Sequence, residues 1–530
     1  MPKRKFILRI LLSALALILL AETSPAAETV TLTLRDGLIK GLREKGVDIY
    51  RGIPYARPPL GELRFAPPQE AKPWEGELDC TSFGKQCFQA PSSFSPGAVS
   101  EDCLSLNVWT PAPGGDNTGL PVYVFIHGGG FAAGSGALGI YDGSSFARQG
   151  VVTVTINYRL GALGFFASQE TRQRHDTTGN WGIMDQILAL QWVRDNISAF
   201  GGDPAKVTVG GESAGSFSVS ALMLSPLAQG LFRGVIMESG AILSLPALSY
   251  YARSDLARAA EVSAMLANVF GAADNSEGLA KMQTADASVL ASFSAFIPEQ
   301  TMNPAFFLTP VFDGKVIPAQ PLLTLEAADF PAVNLLLGFN HDEGSIFVPK
   351  AVDEGQYKML VMRMLGGDKG LRFLERFGKN ESVSVWQRAC QAVAYGVFSA
   401  GMKRFADLAA KAGGKVYMYQ FNYVSLNNQV TEIGASHGAE LPLVFNNLEN
   451  SDLYTPEAQR LAAEMHTRWA NFIKTGDPNT GASLPSRVKW RRYEAQNPRL
   501  LLLDAEITSG TLPDRENIDY TADLIFGGRN

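Results

Sequence analysis

The 530-residue chain is expected to fold as an α/β protein, with a mostly parallel central sheet and helices on both faces. Two observations predict this class. Short apolar runs of strand length alternate with longer helix-compatible stretches, which is the pattern of repeated strand–helix–strand units. Clusters of glycine and small polar residues punctuate the ends of those runs, where such a chain must turn. A hydrophobic content of 46% over this length supports a large buried core.

In chain order, residues 120–126 read as a buried strand, and residues 151–156 as another. A helix is expected from about 181 to 198, then a strand over 206–210 and a helix over 213–224. Strand character returns at 234–237, 333–338 and 415–423, and residues 456–474 are helix-compatible. Length alone is compatible with about three domains. No Pro/Ser/Gly-rich linker and no internal repeat divides the chain, so a single domain is expected over 27–530. Two helix-rich stretches, about 250–296 and 352–411, lie between strand-like segments and are expected to fold over the strand ends as a cap.

The run Gly211-Glu212-Ser213-Ala214-Gly215 follows the strand over 206–210 and opens the helix after it. A serine flanked by small residues at such a junction can occupy a sharp, strained turn with its hydroxyl exposed at the strand end. A Cβ in place of either flanking glycine would collide with the neighbouring strand or helix. Upstream, the strand over 120–126 ends in His127-Gly128-Gly129-Gly130-Phe131. Consecutive glycines there let backbone N–H groups turn inward together, as an oxyanion hole requires. A nearby run, Gly134-Ser135-Gly136-Ala137-Leu138-Gly139, matches a dinucleotide fingerprint by letter. It neither follows a strand directly nor opens a helix, so a nucleotide site is not expected.

A serine nucleophile on this architecture takes an acid and then a histidine downstream. The chain has five histidines. His127 belongs to the glycine loop, His175 and His341 lie in polar loops, and His466 lies in the helix over 456–474. His437 sits in the small-residue loop Gly434-Ala435-Ser436-His437-Gly438 after the strand over 415–423. Loops at strand ends are where such folds present reactive groups. The residues alone leave His437 open against His341 and His466. They also leave two acids open, because Asp342 and Glu343 stand side by side where the strand over 333–338 ends.

These blocks resemble the type-B carboxylesterases, the α/β-hydrolase group that includes bacterial p-nitrobenzyl esterases and cholinesterases. The resemblance runs from about Val30 to about Tyr493. It is carried by Arg51-Gly-Ile-Pro-Tyr-Ala56, Glu101-Asp-Cys-Leu-Ser-Leu-Asn107, Gly128-Gly-Gly-Phe131, Asn157-Tyr-Arg-Leu-Gly-Ala-Leu-Gly-Phe165, Phe200-Gly-Gly-Asp-Pro204, the Ser213 run, Asp342-Glu-Gly344 and His437-Gly-Ala-Glu440. The resemblance implies Ser213 as nucleophile, Glu343 as acid and His437 as base, with Gly129, Gly130 and Ala214 supplying oxyanion N–H donors. It implies structural ion pairs Arg64–Glu101 and Arg159–Asp185, and a disulfide between Cys87 and Cys103. It leaves Cys80 and Cys390 as a second pair or as buried thiols. Glu212 stands beside the nucleophile in the family pattern and is assigned no proton transfer. His127 stands where many relatives have Tyr, which is compatible with the hole because the backbone supplies the donors. Cholinesterase-like relatives hold a quaternary ammonium on a Trp in the disulfide-closed loop; here that loop contains Phe88 and Phe94 and no Trp.

The implied activity is hydrolysis of small to medium carboxylic esters through an acyl-enzyme, with no cofactor and no metal. A binding protein on the same fold is the rival reading, and typically lacks a triad member; a lipase acting on long acyl chains is a second. No His-Glu-x-x-His or Cys-x-x-Cys run is present, and His341 with Asp342 and Glu343 lacks further ligands in register. The formal charge is −6, with no basic block, which argues against nucleic acid as a partner. Lys3, Arg4 and Lys5 precede an apolar core over residues 11–21 and the small residues Ser24, Pro25 and Ala26. That is the form of a secretory signal peptide over 1–26, too short for a comfortable membrane span. Export to the periplasm or medium, with no stable membrane insertion afterwards, is therefore expected, and it permits disulfides.

Overall fold

The computed structural model describes residues 28–91, 97–113, 118–244, 256–293, 308–318, 321–378, 382–448 and 454–527. The expected signal peptide over 1–26 and Phe94 lie outside the described residues. Among the described residues, no helix is long and apolar enough to cross a membrane.

The described residues form fifteen strands, namely β1 (Glu28–Leu34), β2 (Gly37–Glu44), β3 (Val47–Pro54), β4 (Glu77–Asp79), β5 (Gln86–Cys87), β6 (Val99–Ser100), β7 (Ser105–Pro111), β8 (Leu120–Ile126), β9 (Val152–Ile156), β10 (Gly202–Glu212), β11 (Gly234–Glu238), β12 (Asn334–Asn340), β13 (Lys415–Phe421), β14 (Arg499–Leu503) and β15 (Thr508–Thr511). The large sheet runs β1-β2-β3-β7-β9-β8-β10-β11-β12-β13-β14-β15, with β4 on β2. From β9 to β14 every neighbour is parallel. The antiparallel strands β1, β2, β3 and β7 form one edge, and β15 the other. These edge strands were not among those expected from the sequence.

The central strands read as continuous apolar runs because both faces are covered. Val122 to Ile126 and Val152 to Ile156 are buried at successive positions. One face packs against the helices Trp181–Asn196 and Ala214–Leu224; the other packs against Pro456–Thr475. The strand expected over 206–210 extends to Gly202–Glu212 and carries the sheet up to the serine run.

Two buried ion pairs brace this scaffold. Arg159 Nη2 lies 2.7 Å from Asp185 Oδ1, and Arg159 Nη1 also donates to the Ala66 carbonyl at 2.9 Å. Arg64 Nε donates to Glu101 Oε2 at 2.7 Å, and Arg64 Nη1 reaches the Met282 carbonyl at 3.0 Å. The second pair thus ties the insertion around Ser276–Thr284 to the N-terminal region. Removing one partner of such a pair strands a buried charge and costs about 3–5 kcal/mol.

The second helical stretch contains Glu354–Leu365, Gly367–Phe377, Val385–Val393, a π-helical turn Ala394–Ser399, and Ala400–Lys411. Val385–Val393 packs against the short helical turn Glu343–Ile346. Ala400–Lys411 instead packs on β12 and β13 and so belongs to the helix layer of the sheet. Cys87 and Cys103 are joined, with an S–S distance of 2.03 Å. Cys80 and Cys390 are buried free thiols.

Candidate active site

Parallel strands deliver their carboxyl ends to one edge of a sheet, and open α/β sheets bind ligands along that edge. Here β8 runs into the glycine loop, β10 into Ser213, β12 into the Glu343 turn, and β13 toward the loop bearing His437. The register keeps these ends level. Ile126 pairs with Gly211, Glu212 with Glu238, and Glu238 with Gly338.

Ser213 sits at φ 55°, ψ −125°, a conformation an L residue rarely adopts, between β10 and the helix Ala214–Leu224. Its N–H donates to the Glu238 carbonyl at 2.9 Å, and its own carbonyl accepts from Phe217 at 2.9 Å. Such backbone strain typically costs about 1–3 kcal/mol and persists only where surrounding packing enforces it. The packing is visible at the glycines. A Cβ on Gly215 would run into the Ile126 carbonyl, and one on Gly211 would lie 2.6 Å from Gly215. The glycine loop closes against the same turn, since a Cβ on Gly128 would lie 2.9 Å from Ser213 Cβ. Gly129 and Gly130 follow with φ 106° and 62°. Among the described residues, no backbone hydrogen bond uses the N–H groups of Gly129, Gly130 or Ala214.

Geometry separates the two adjacent acids that the residues alone left open. Glu343 is fully buried; its Oε2 lies 2.5 Å from His437 Nδ1, and its Oε1 accepts the Asn340 N–H at 2.7 Å. Asp342 points the other way, accepting the Ala435 N–H at 2.8 Å and meeting His341 Nδ1 at 2.9 Å. The three candidate histidines separate in the same way. His466 is buried in its helix with Nδ1 2.8 Å from the Val444 carbonyl, and the His341 side chain is half-exposed. Of the three, only His437 meets a residue next to Ser213, with the mutually stacked rings of Phe347 and Phe398 beside it at centroid distances of 5.1 and 4.7 Å.

His437 Nε2 lies 3.1 Å from Glu212 Oε1. Glu343 and His437 are hydrogen-bonded, whereas among the described residues no hydrogen bond joins His437 to Ser213. Burial acts to lower the His437 imidazole, but the facing carboxylates Glu212 and Glu343 outweigh it and raise it overall. Burial pushes the Glu212 carboxyl up, only partly offset by His437.

Two further acids lie behind this pair. Glu238 and Glu440 are fully buried, and burial raises both above the usual carboxylate range. Glu238 Oε1 accepts from Trp469 Nε1 at 2.9 Å, and Glu440 Oε2 from Asn340 Nδ2 at 2.5 Å. The sequence reading gave neither a role. A Glu inside the buried run Val235-Ile236-Met237-Glu238 was the available signal.

His127 is buried, and burial pushes its imidazole down to about 4. It is therefore neutral at ordinary pH, with Nδ1 2.8 Å from the Gly128 carbonyl and its ring stacked on Tyr158 at 4.5 Å. The run Gly134–Gly139 lies in the loop after Gly128–Gly130 and leads only into the single turn Gly139–Tyr141.

The model of the carboxylesterase family matches residues 27–520. The para-nitrobenzyl esterase of Bacillus subtilis (strain 168) is 36% identical over 502 residues, covering 92% of this chain and 97% of that protein. The cocaine esterase of Homo sapiens is 35% identical over 494 residues, covering 86% of this chain and 84% of that protein. A solved structure of PNB esterase superimposes with a TM-score of 0.79 at 33% identity, covering 93% of this chain and 99% of the other. The strand-end serine, the glycine loop and this likeness along nearly the whole chain lead to one conclusion: the protein belongs to the carboxylesterase family and is a carboxylic-ester hydrolase.

Proposed function

We propose that ester hydrolysis proceeds through an acyl-enzyme on Ser213, with His437 as base and Glu343 as the acid that orients it. The observation that carries this reading is the bond from His437 Nδ1 to the buried Glu343 carboxylate on the same sheet edge as Ser213. By accepting from Nδ1–H, the Glu343 carboxylate holds the proton there and leaves the Nε2 lone pair for the serine hydroxyl. His437 Nε2 takes the Ser213 proton as Oγ attacks the ester carbonyl. For this, Nε2 must turn from Glu212 to Oγ; catalytic hydrogen bonds of this kind commonly tighten only when substrate binds. The developing oxyanion is received by the N–H groups of Gly129, Gly130 and Ala214, each typically worth about 2.7–4 kcal/mol in such holes. The imidazolium then protonates the departing alcohol. Water, deprotonated by His437, attacks the acyl carbonyl and releases the acid, restoring Ser213.

The names of the relatives, together with the stacked Phe347 and Phe398 rings beside His437, support small to medium carboxylic esters, aryl esters among them, as substrates. Residues 27–530 are assigned to one catalytic domain, with residues 250–296 and 352–411 as cap insertions, save that Ala400–Lys411, at the end of the second, packs on the sheet. Packing of Val385–Val393 against the Glu343 turn supports the second insertion. Residues 1–26 are assigned as a signal peptide removed on export, and the disulfide between Cys87 and Cys103 fits an oxidising compartment.

A fluorophosphonate probe tests the central assignment. Stoichiometric labelling of Ser213, found by peptide mass mapping and accompanied by loss of ester turnover, is expected. Full activity without labelling, or labelling at another residue, would overturn it.

A further inference from the structure

The disulfide-closed segment and the glycine loop meet through one buried side chain. Gln89 lies two residues beyond Cys87 and is only 4% exposed. Its Nε2 donates to the Gly134 carbonyl at 2.8 Å and to the Cys87 carbonyl at 3.0 Å. Its Oε1 accepts the Gly134 N–H at 2.8 Å. The amide thus takes both backbone groups of Gly134, much as a strand partner would, and returns a bond to the disulfide.

Gly134 is the closing point of the loop that presents the oxyanion N–H groups. The Gly129 carbonyl accepts from Ala132 and Ala133 at 3.1 and 3.0 Å, so the next residue, Gly134, folds back on the loop's start. A Cβ on Gly134, at φ 109°, would overlap His127 and the Gly128 carbonyl. A Cβ on Gly128 would in turn lie 2.9 Å from Ser213 Cβ. A second amide works in parallel. Asn157 Oδ1 accepts the Gly136 N–H at 2.9 Å, while its Nδ2 donates to the Cys103 carbonyl at 3.2 Å. Both halves of the disulfide are therefore tied to Gly134 and Gly136, the first two glycines of the run that resembled a nucleotide fingerprint. A donor aimed at a developing charge must hold position at the moment of reaction, because its value lies in preorganisation.

We propose that Gln89 is a positioning residue for the oxyanion hole, holding Gly129 and Gly130 in place by locking Gly134 to the Cys87–Cys103 disulfide. The inference rests on the assignment of Ser213 and of those N–H donors. It gives the disulfide segment a part in transition-state stabilisation rather than in loop stability alone.

The test uses the whole mature protein and two substitutions, Gln89→Met, which keeps the volume and removes all three bonds, and Gln89→Glu, which sets a carboxylate against the Gly134 and Cys87 carbonyls. Readouts are kcat and KM for a p-nitrophenyl ester, and the inhibition constant of a trifluoromethyl ketone, whose Ser adduct places an oxyanion in the hole. Displacing donors rather than deleting one should cost kcat about tenfold, below the full loss for a deleted donor. KM should stay within about twofold, and ketone affinity should fall by the same factor as kcat. A residue that is only structural would lower the melting temperature without that parallel loss. The proposal is overturned if ketone affinity and kcat stay within about twofold of wild type. It is equally overturned if both variants fail to fold, which would make Gln89 a scaffold residue. Fluorophosphonate labelling separates the two levels: absence of Ser213 labelling in the wild type defeats the catalytic assignment itself, whereas normal labelling with unchanged ketone affinity defeats only the role of Gln89.

Discussion

Replacing Glu343 by Gln should cripple turnover, whereas replacing Asp342 by Asn should hardly affect it. Both Glu343 oxygens face donors, with His437 Nδ1 at 2.5 Å and the Asn340 N–H at 2.7 Å. An amide has one oxygen, so its NH2 must meet one of those donors. Turned toward Asn340, it leaves a buried N–H unpaired, at about 1–3 kcal/mol of stability. Turned toward His437, it forces the proton to Nε2 and removes the lone pair that must accept from Ser213. A wrong tautomer of this kind typically costs about 10⁴ in kcat. At 1.36 kcal/mol per tenfold that is about 5 kcal/mol. Asp342 is half-exposed, and an amide there keeps an oxygen for the Ala435 N–H. Its exposed contact with His341 is worth about 1 kcal/mol at most, so less than tenfold should be lost. The measurement is kcat/KM on a p-nitrophenyl ester for both variants, with thermal unfolding to confirm that each is folded. If the Asp342 change is the more damaging, the acid is wrong by one position. If both are mild, the acid lies elsewhere.

Ser213→Ala should remove turnover and keep the fold, while Ser213→Gly should be more stable than Ser213→Ala by about 1 kcal/mol, because glycine tolerates φ 55°; equal urea midpoints would show the turn is not strained. Raised above its ordinary value, the His437 imidazole should make kcat/KM climb with pH through an apparent value above 6.5, shared with Glu212. The sign follows from the base being active only when neutral. Glu212→Gln removes one of the carboxylates that raise it, so the rise should move to lower pH; a shift to higher pH would contradict the assignment. The disulfide-closed loop has no Trp, and Phe88 is packed against the core, so little choline selectivity is expected. Preference for butyrylcholine over its uncharged 3,3-dimethylbutyl analogue above about tenfold, or about 1.4 kcal/mol, would reveal an unrecognised cation site.

Local chemistry was legible because local chemistry is what a sequence writes down. Leu120 to Ile126 reads as a strand because a strand covered on both faces has no polar side. The elbow reads from Gly211 to Gly215 because its close approaches lie within a few residues. Edge strands such as β1 and β2 carry alternating, half-polar patterns and were missed. Glu238 and Glu440 were given no role because a residue's identity alone does not say that a carboxylate will be wholly buried.

The sequence by itself determined an α/β chain with a strained serine, a glycine loop and a histidine after a late strand. The tertiary structure decided which of the two acids meets that histidine. Asp342 and Glu343 are neighbours in the chain, but the helical turn at Glu343–Ile346 sends their side chains in opposite directions, and only one meets the loop that carries His437. It also decided what Gln89 touches. The contact with Gly134 spans 45 residues, and no local pattern encodes a partner that distant. Such contacts come from packing the whole sheet, whose parallel register brings separate strand ends to one edge.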